Sequence, residues 1–415
     1  MPIFLLGMFF LSDAPFLAAQ SEAGNNAVAE SGAYIASISI TGLRRTRPSA
    51  AERPLRRFIG LPSDQVDTND VMAAIVATGI LQPVSVEIEG DVLVIEVQER
   101  WSFFPVPVAA GGTEGMSGGL ALFDANAFGL NDQLFLAAFF HADGFITSAG
   151  YFRSSRGGRS PGYSGMAAFA RRERHDRDQN AEVLRRFDLD TITLNAGVHF
   201  PLLEDSDLLS VSALLSFSDR SLRNRSDALY GPQDSLTMFG SGAEFAVRRN
   251  SWDGYFLSQE AASVRYFFHT DFGGVSFQAV QLRGIWERSL VPGFRFNMRT
   301  GLVFQPQVPV LFESSPGAAQ VDILPRDFSA RNYAGFSAGL EKRIFATAAG
   351  TFSLAGAYQA VYSYGSALGH SADQGYTVTL SFYLNRLAIP ALGLGVAHNI
   401  TRNYVQGFFS IGMSF

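Results

Sequence analysis

The chain has no cysteine, and only 17% of its residues carry charge. After its first twenty residues it has no apolar run of the ~18 residues that a membrane-spanning helix needs. Absent cysteine excludes a disulfide framework and any thiolate metal site. A formal net charge of −6 excludes the global basic field that draws nucleic acid. The six histidines, His141, His175, His199, His269, His370 and His398, are scattered, and none has the H-x-x-x-H spacing of a metal site. No glycine-rich loop leads from a strand into a helix, as phosphate binding requires. No catalytic group, cofactor or metal is therefore expected. A hydrolase-like set of Ser410, His398 and Asn399 is one alternative to that reading.

What the chain has instead is phenylalanine, 37 of them, and glycine, 41. Much of it alternates apolar and polar residues. In residues 406–415, Phe409, Ile411, Met413 and Phe415 fall on one side of an extended strand, and Phe408, Ser410, Gly412 and Ser414 on the other. So apolar a strand would be an aggregation-prone edge in water. It is accounted for if one face meets lipid and the edge closes a barrel, since lipid leaves no partner for an unpaired backbone group. Glycine, proline, asparagine and aspartate cut the chain into sixteen such strands: 101–109, 116–122, 133–140, 145–153, 163–171, 188–200, 208–218, 235–247, 256–268, 275–287, 294–304, 333–345, 352–362, 375–385, 392–400 and 406–415. An even number returns both barrel ends to one side. The clearest is 375–385. Tyr376, Val378, Leu380, Phe382 and Leu384 would face lipid, and Thr377, Thr379, Ser381, Tyr383 and Asn385 the lumen. Connections alternate between short turns and long polar loops, the longer ones including 172–187, 219–234 and 305–332.

Ahead of the barrel, residues 1–20 read as a signal peptide, with an apolar core at 3–11 and small residues at 18–19, although no lysine or arginine precedes the core. Residues 21–33 read as a polar, disordered lead-in. Residues 34–100 read as a small domain of order β-α-α-β-β. Ser49 and Thr68 are the expected helix caps, Gly79 the stop of the second helix, and Gly90-Asp91 the turn of a closing hairpin. Six arginines lie between Arg44 and Arg57. They read either as a solvated helix face or as a contact for lipid headgroups or an acidic partner.

Three stretches of this domain resemble a POTRA domain: Ile38-Ser39-Ile40-Thr41-Gly42-Leu43-Arg44-Arg45-Thr46-Arg47, Ala77-Thr78-Gly79-Ile80-Leu81-Gln82-Pro83-Val84-Ser85-Val86, and Val94-Ile95-Glu96-Val97-Gln98-Glu99-Arg100. Four stretches of the barrel resemble the POTRA-plus-barrel outer-membrane superfamily, which holds the BamA and TamA types, the two-partner secretion transporters and the bacterial surface antigen family. Residues 323–328, Ile-Leu-Pro-Arg-Asp-Phe, stand where that superfamily has the VRGF/Y tip of a sixth loop folded into the lumen, with Asp327 replacing its glycine. Residues 123–129 resemble the turn after the second strand. Residues 246–250 resemble an arginine-bearing turn between the eighth and ninth strands. Residues 339–343 resemble the start of the strand after the loop.

The resemblance implies a single-POTRA protein of the bacterial outer membrane, with the POTRA domain in the periplasm. Its implied partners are outer-membrane lipids, unfolded outer-membrane or secreted clients, and accessory periplasmic proteins. The implied work is inserting barrel proteins into that membrane or passing proteins across it, without enzymatic activity or cofactor. A loop lock is expected from Arg326, Phe328, Glu341 and Arg343, with Gln359 near the place of the superfamily's lumen aspartate. A client-binding sheet edge is expected at Ser37, Ser39, Val84 and Val86. A lateral seam is expected between the first and last strands, at Pro105, Pro107, Phe409 and Phe415. The alternative is a passive porin or surface antigen with a vestigial POTRA domain.

Overall fold

A computed structural model describes residues 33–112, 115–141, 144–153, 160–177, 183–203, 206–225, 235–252, 256–314, 317, 320–325, 328–366, 369–385 and 392–411. The expected leader and almost all of the lead-in lie outside these residues. No described helix is long and apolar enough to cross a membrane.

The first unit is a three-stranded sheet of β1 (Ser37–Thr41), β2 (Leu81–Glu89) and β3 (Val92–Glu99), backed by α1 (Pro48–Glu52), two 3-10 turns and α2 (Thr68–Ala77). The sheet order is β1-β3-β2, with β3 parallel to β1 and antiparallel to β2. Both outer strands are therefore open edges. Ile35, Leu55, Val71, Ile75, Leu93 and Ile95 form its core. Two caps differ from expectation. Pro48, with its fixed φ and missing N–H, opens α1 at the first helical turn, which puts Ser49 inside the helix. Asp67 rather than Thr68 caps α2, accepting from the Asn69 N–H at 2.8 Å. Gly42 has φ +90°, and a Cβ there would lie 1.9 Å from the Val97 carbonyl oxygen, so only glycine fits.

The second unit is a closed sixteen-stranded antiparallel barrel. Its strands are β4 (Phe103–Gly112), β5 (Gly115–Ala127), β6 (Asp132–His141), β7 (Gly144–Arg153), β8 (Gly162–Arg177), β9 (Val183–Leu203), β10 (Ser206–Arg225) and β11 (Ser235–Trp252). They continue as β12 (Leu257–Thr270), β13 (Ser276–Val291), β14 (Phe294–Phe304), β15 (Asn332–Ala346), β16 (Gly350–Ser366), β17 (Gly369–Leu384), β18 (Leu392–Asn399) and β19 (Tyr404–Ile411). Each coincides with one strand read from the sequence. The alternation holds: Tyr376, Val378 and Leu380 are 54%, 53% and 41% exposed, while Thr377 is 5% exposed. A belt of exposed apolar side chains around a closed barrel is the surface that hydrocarbon covers.

Three stretches read as connections are wholly or partly strand, one of them 219–225 at the end of β10. Residues 172–187 belong largely to a β8–β9 hairpin whose ladder runs out to Arg177 and Val183. Cross-strand charge pairs sustain it: Arg171 grips Asp190 with two N–H groups at 3.0 and 2.9 Å, and Arg186 pairs with Glu173. The sixteen residues of β8 span ~50 Å, well beyond a ~25 Å apolar band. Likewise residues 246–250 are no turn. They lie within β11, where Arg248 and Arg249 stay in register with Ala261 and Glu260.

Candidate functional site: the lumen loop, the seam and the sheet edges

The connection between β14 and β15 leaves the barrel at the end opposite the small domain and folds back into the lumen. Its first half lays Val308, Leu311 and Phe312 against Phe187, Met238 and Phe277 of one wall. Arg174 ties that half down, donating to the Val310 carbonyl and the Glu313 carboxylate, both at 3.1 Å. Arg220 stacks on the Phe312 ring at 4.2 Å and donates to the Leu311 carbonyl. The second half lays Val321, Ile323, Leu324 and Phe328 against Val303, Tyr333, Val361 and Ala397. A two-way backbone bridge between Ser314 and Ala330 closes the loop on itself.

Two glutamines position the second half. Gln359 of β16 accepts from the Asp322 N–H at 2.7 Å and donates back to its carboxylate at 3.3 Å. Gln406 of β19 donates to the carbonyls of Asp322 and Leu324. The last strand is thus held to the loop from inside. Above it, Arg402 is paired with Asp373 at 2.6 Å and lies 4.9 Å over the Phe328 ring. Asn399 donates to the same Asp373 at 3.0 Å. That engagement, and the opposite facing of adjacent strand residues, separates Asn399 from His398 and breaks up the hydrolase-like set.

Of the expected lock, Arg326 lies outside the described residues. Phe328 is buried against the wall, and Glu341 is 3% exposed inside the barrel. The described partners of Glu341 differ from the expected one. Arg295 donates to it at 2.5 Å, Tyr383 at 2.6 Å, and Ser353 donates as well. Arg295 also bonds Glu287 at 3.1 Å and the Leu257 carbonyl at 3.0 Å, with Phe256 stacked on its guanidinium at 4.8 Å. A buried carboxylate must be compensated close by, and β14 supplies the arginine one strand away. Arg343, two residues on, is half-buried beside Gly293 at the rim. Arg295, Gln406, Arg402 and Asp373 were not singled out from the sequence, and Tyr383 only as a lumen-facing residue. For Arg295, Asp373 and Gln406 the signal is a charge or amide inside a barrel strand; Arg402 lies in the turn before β19.

β4 pairs with β5, and β18 with β19, along their whole lengths. Among the described residues β19 meets β4 through one pair, Gln406 with Gly112. Pro105 and Pro107 lie within β4 and deprive it of two N–H donors. Phe409 pairs with Leu394, and Phe415 lies outside the described residues. In the small domain, Ser37 and Ser39 lie on one open edge and Val84 and Val86 on the other. Val84 is 60% exposed.

The two units are joined by a built contact. Arg45 donates to Ser102 at 2.8 Å and Asp124 at 2.7 Å, Asn126 donates to the Thr46 hydroxyl at 2.9 Å, and the Arg47 N–H donates to the Gly129 carbonyl at 2.9 Å. Gly129 has φ +71°, and a Cβ would lie 2.4 Å from the Arg45 carbonyl oxygen. The Glu99 carboxylate accepts the N–H groups of Arg44, Arg45 and Thr46. Partial burial works against its charge, but those N–H groups outweigh it and hold the carboxyl below its ordinary range. On the far side of the small domain, α2 lies against β11 and β12.

The closed barrel with an internal loop and a small mixed domain at one rim is a fold the chain shares with solved structures. The chain is similar to BamA of Haemophilus ducreyi lacking POTRA domains 1–3, at 14% identity and a TM-score of 0.51, over 91% of this chain and 85% of that one. It is similar to CdiB of Acinetobacter baumannii, at 14% identity and 0.58, over 91% and 73%, and to CdiB of Escherichia coli, at 12% and 0.59, over 92% and 76%. No protein-family model and no curated protein matches the chain.

Proposed function

We propose that this protein sits in the bacterial outer membrane, with its small domain in the periplasm, and inserts barrel proteins into that membrane or moves proteins across it. The observation that carries the reading is the junction of β19 with β4, a single described pair in a barrel otherwise laddered throughout. A wall that is weakest at one line parts there first. The open edges at Ser37 to Thr41 and Leu81 to Glu89 suit capture of an extended client by strand addition, which draws on main-chain hydrogen bonds and tolerates many sequences. The lumen loop braces the wall while the seam parts, through Gln359 behind it and Gln406 on the last strand. A passive porin fits less well with a lumen crossed by a packed loop.

The native chain has no cysteine, so one introduced on β4 and one on β19 form a single defined cross-link. The oxidised, tethered protein is expected to lose most client assembly or export, with recovery on reduction. Full activity in the tethered state would refute the seam mechanism.

A further inference from the structure

The arginine segment between the small domain's first strand and its core has a chemistry that client handling does not use. Residues 44–57 hold six arginines and one acid, Glu52. Arg45 and Arg53 are committed to the barrel, Arg45 on Asp124 and Arg53 on the Leu130 carbonyl. Arg44, Arg47 and Arg56 are exposed, and among the described residues no carboxylate pairs with their guanidinium groups.

Their height is fixed by register. Asp124, which Arg45 covers, is paired with Phe103, and the same face carries Pro105, Pro107, Leu120 and Leu122. That is the outward, lipid-facing side, on which Leu120 is 48% exposed. Asp124 is thus the first polar residue below the apolar belt. Arg45 reaches it from outside the rim, and its neighbours Arg44 and Arg47 are carried to headgroup level; Arg56 follows Arg53 by three residues in a 3-10 turn and so shares the face that Arg53 turns to the Leu130 carbonyl. Three exposed aromatics stand at the same rim: Trp101, Phe103 and Phe128, at 64%, 48% and 68%. Phe128 is held at φ +61° in the turn whose Gly129 carbonyl takes the Arg47 N–H. Aromatic rings beside guanidinium groups at a membrane boundary are the pairing that anchors proteins to an anionic bilayer surface.

We propose that Arg44, Arg47 and Arg56 bind anionic phospholipid headgroups of the leaflet on the small domain's side, fixing that domain to the membrane beside the seam. This is independent of what the seam passes. The test uses the full chain with Trp252→Phe and Trp286→Phe, leaving Trp101 as the sole tryptophan, excited selectively over the tyrosines. It is reconstituted in phosphatidylethanolamine vesicles holding about a quarter phosphatidylglycerol, with the bromine label on either lipid. Brominated phosphatidylglycerol is expected to quench Trp101 with an enrichment of about threefold over its bulk share. In R44Q/R47Q/R56Q, with insertion checked by the barrel's heat-modifiable gel mobility, the ratio falls to the bulk share. At about 0.5 M salt the unsubstituted arginines lose most of the preference as well, by screening, an arm that needs no arginine variant to fold. Quenching by the two lipids in bulk proportion at low salt, or a preference that survives the triple substitution or high salt, overturns the proposal.

Discussion

At the scale of single residues, the barrel interior depends on a few charges that cannot be removed one at a time. Arg295 stands between Glu287 and Glu341, with Tyr383 and Ser353 completing the shell. Removing one partner of a buried set strands the others, at ~3–5 kcal/mol. R295M is therefore expected to lower barrel stability by about that amount, read from the urea midpoint in detergent micelles. Glu99 makes a second prediction. Its folded-state carboxyl lies below the ordinary value of 4.5, so its stabilisation is present above that value and is lost as pH falls through the depressed one. Hydrogen-exchange protection of the Arg44, Arg45 and Thr46 amides should hold above 4.5 and weaken as pH falls below it, while in E99Q it should be weaker and flat with pH.

At the scale of elements, the lumen loop is the part whose removal says most. Replacing residues 306–330 with a short linker should raise single-channel conductance several-fold, and Q406A alone should loosen the loop and produce intermittent openings. Conductance unchanged in both would mean the loop does not limit the pore. Every barrel strand was legible in the sequence, because period-2 alternation such as Tyr376 to Leu384 follows directly from lipid outside and polar atoms inside. Strand ends were less so. β8, β9 and β11 run past the apolar belt on polar residues such as Glu173, Arg186 and Arg248, whose composition reads as loop until their cross-strand partners are known. The expected lock involves Arg326, which lies outside the described residues. Resemblance points to Arg326 in the loop, whereas the described partner of Glu341 is Arg295, on the adjacent strand and therefore 46 residues away in sequence.

At the scale of the whole molecule, among the described residues the small domain meets the barrel in two places besides the chain's own entry into β4. One is the β5–β6 turn, through Arg45, Thr46 and Arg47; the other is the end of β11 and start of β12, against α2. These attachments are six strands apart on a ring of sixteen. A rigid body pinned at two points of a circle cannot swing like a pendulum. The motion left to it is a tilt about the chord joining them, so one sheet edge rises toward the mouth as the other descends. Whatever is held along an edge would be raised or lowered by that rocking, beside the junction of β19 with β4.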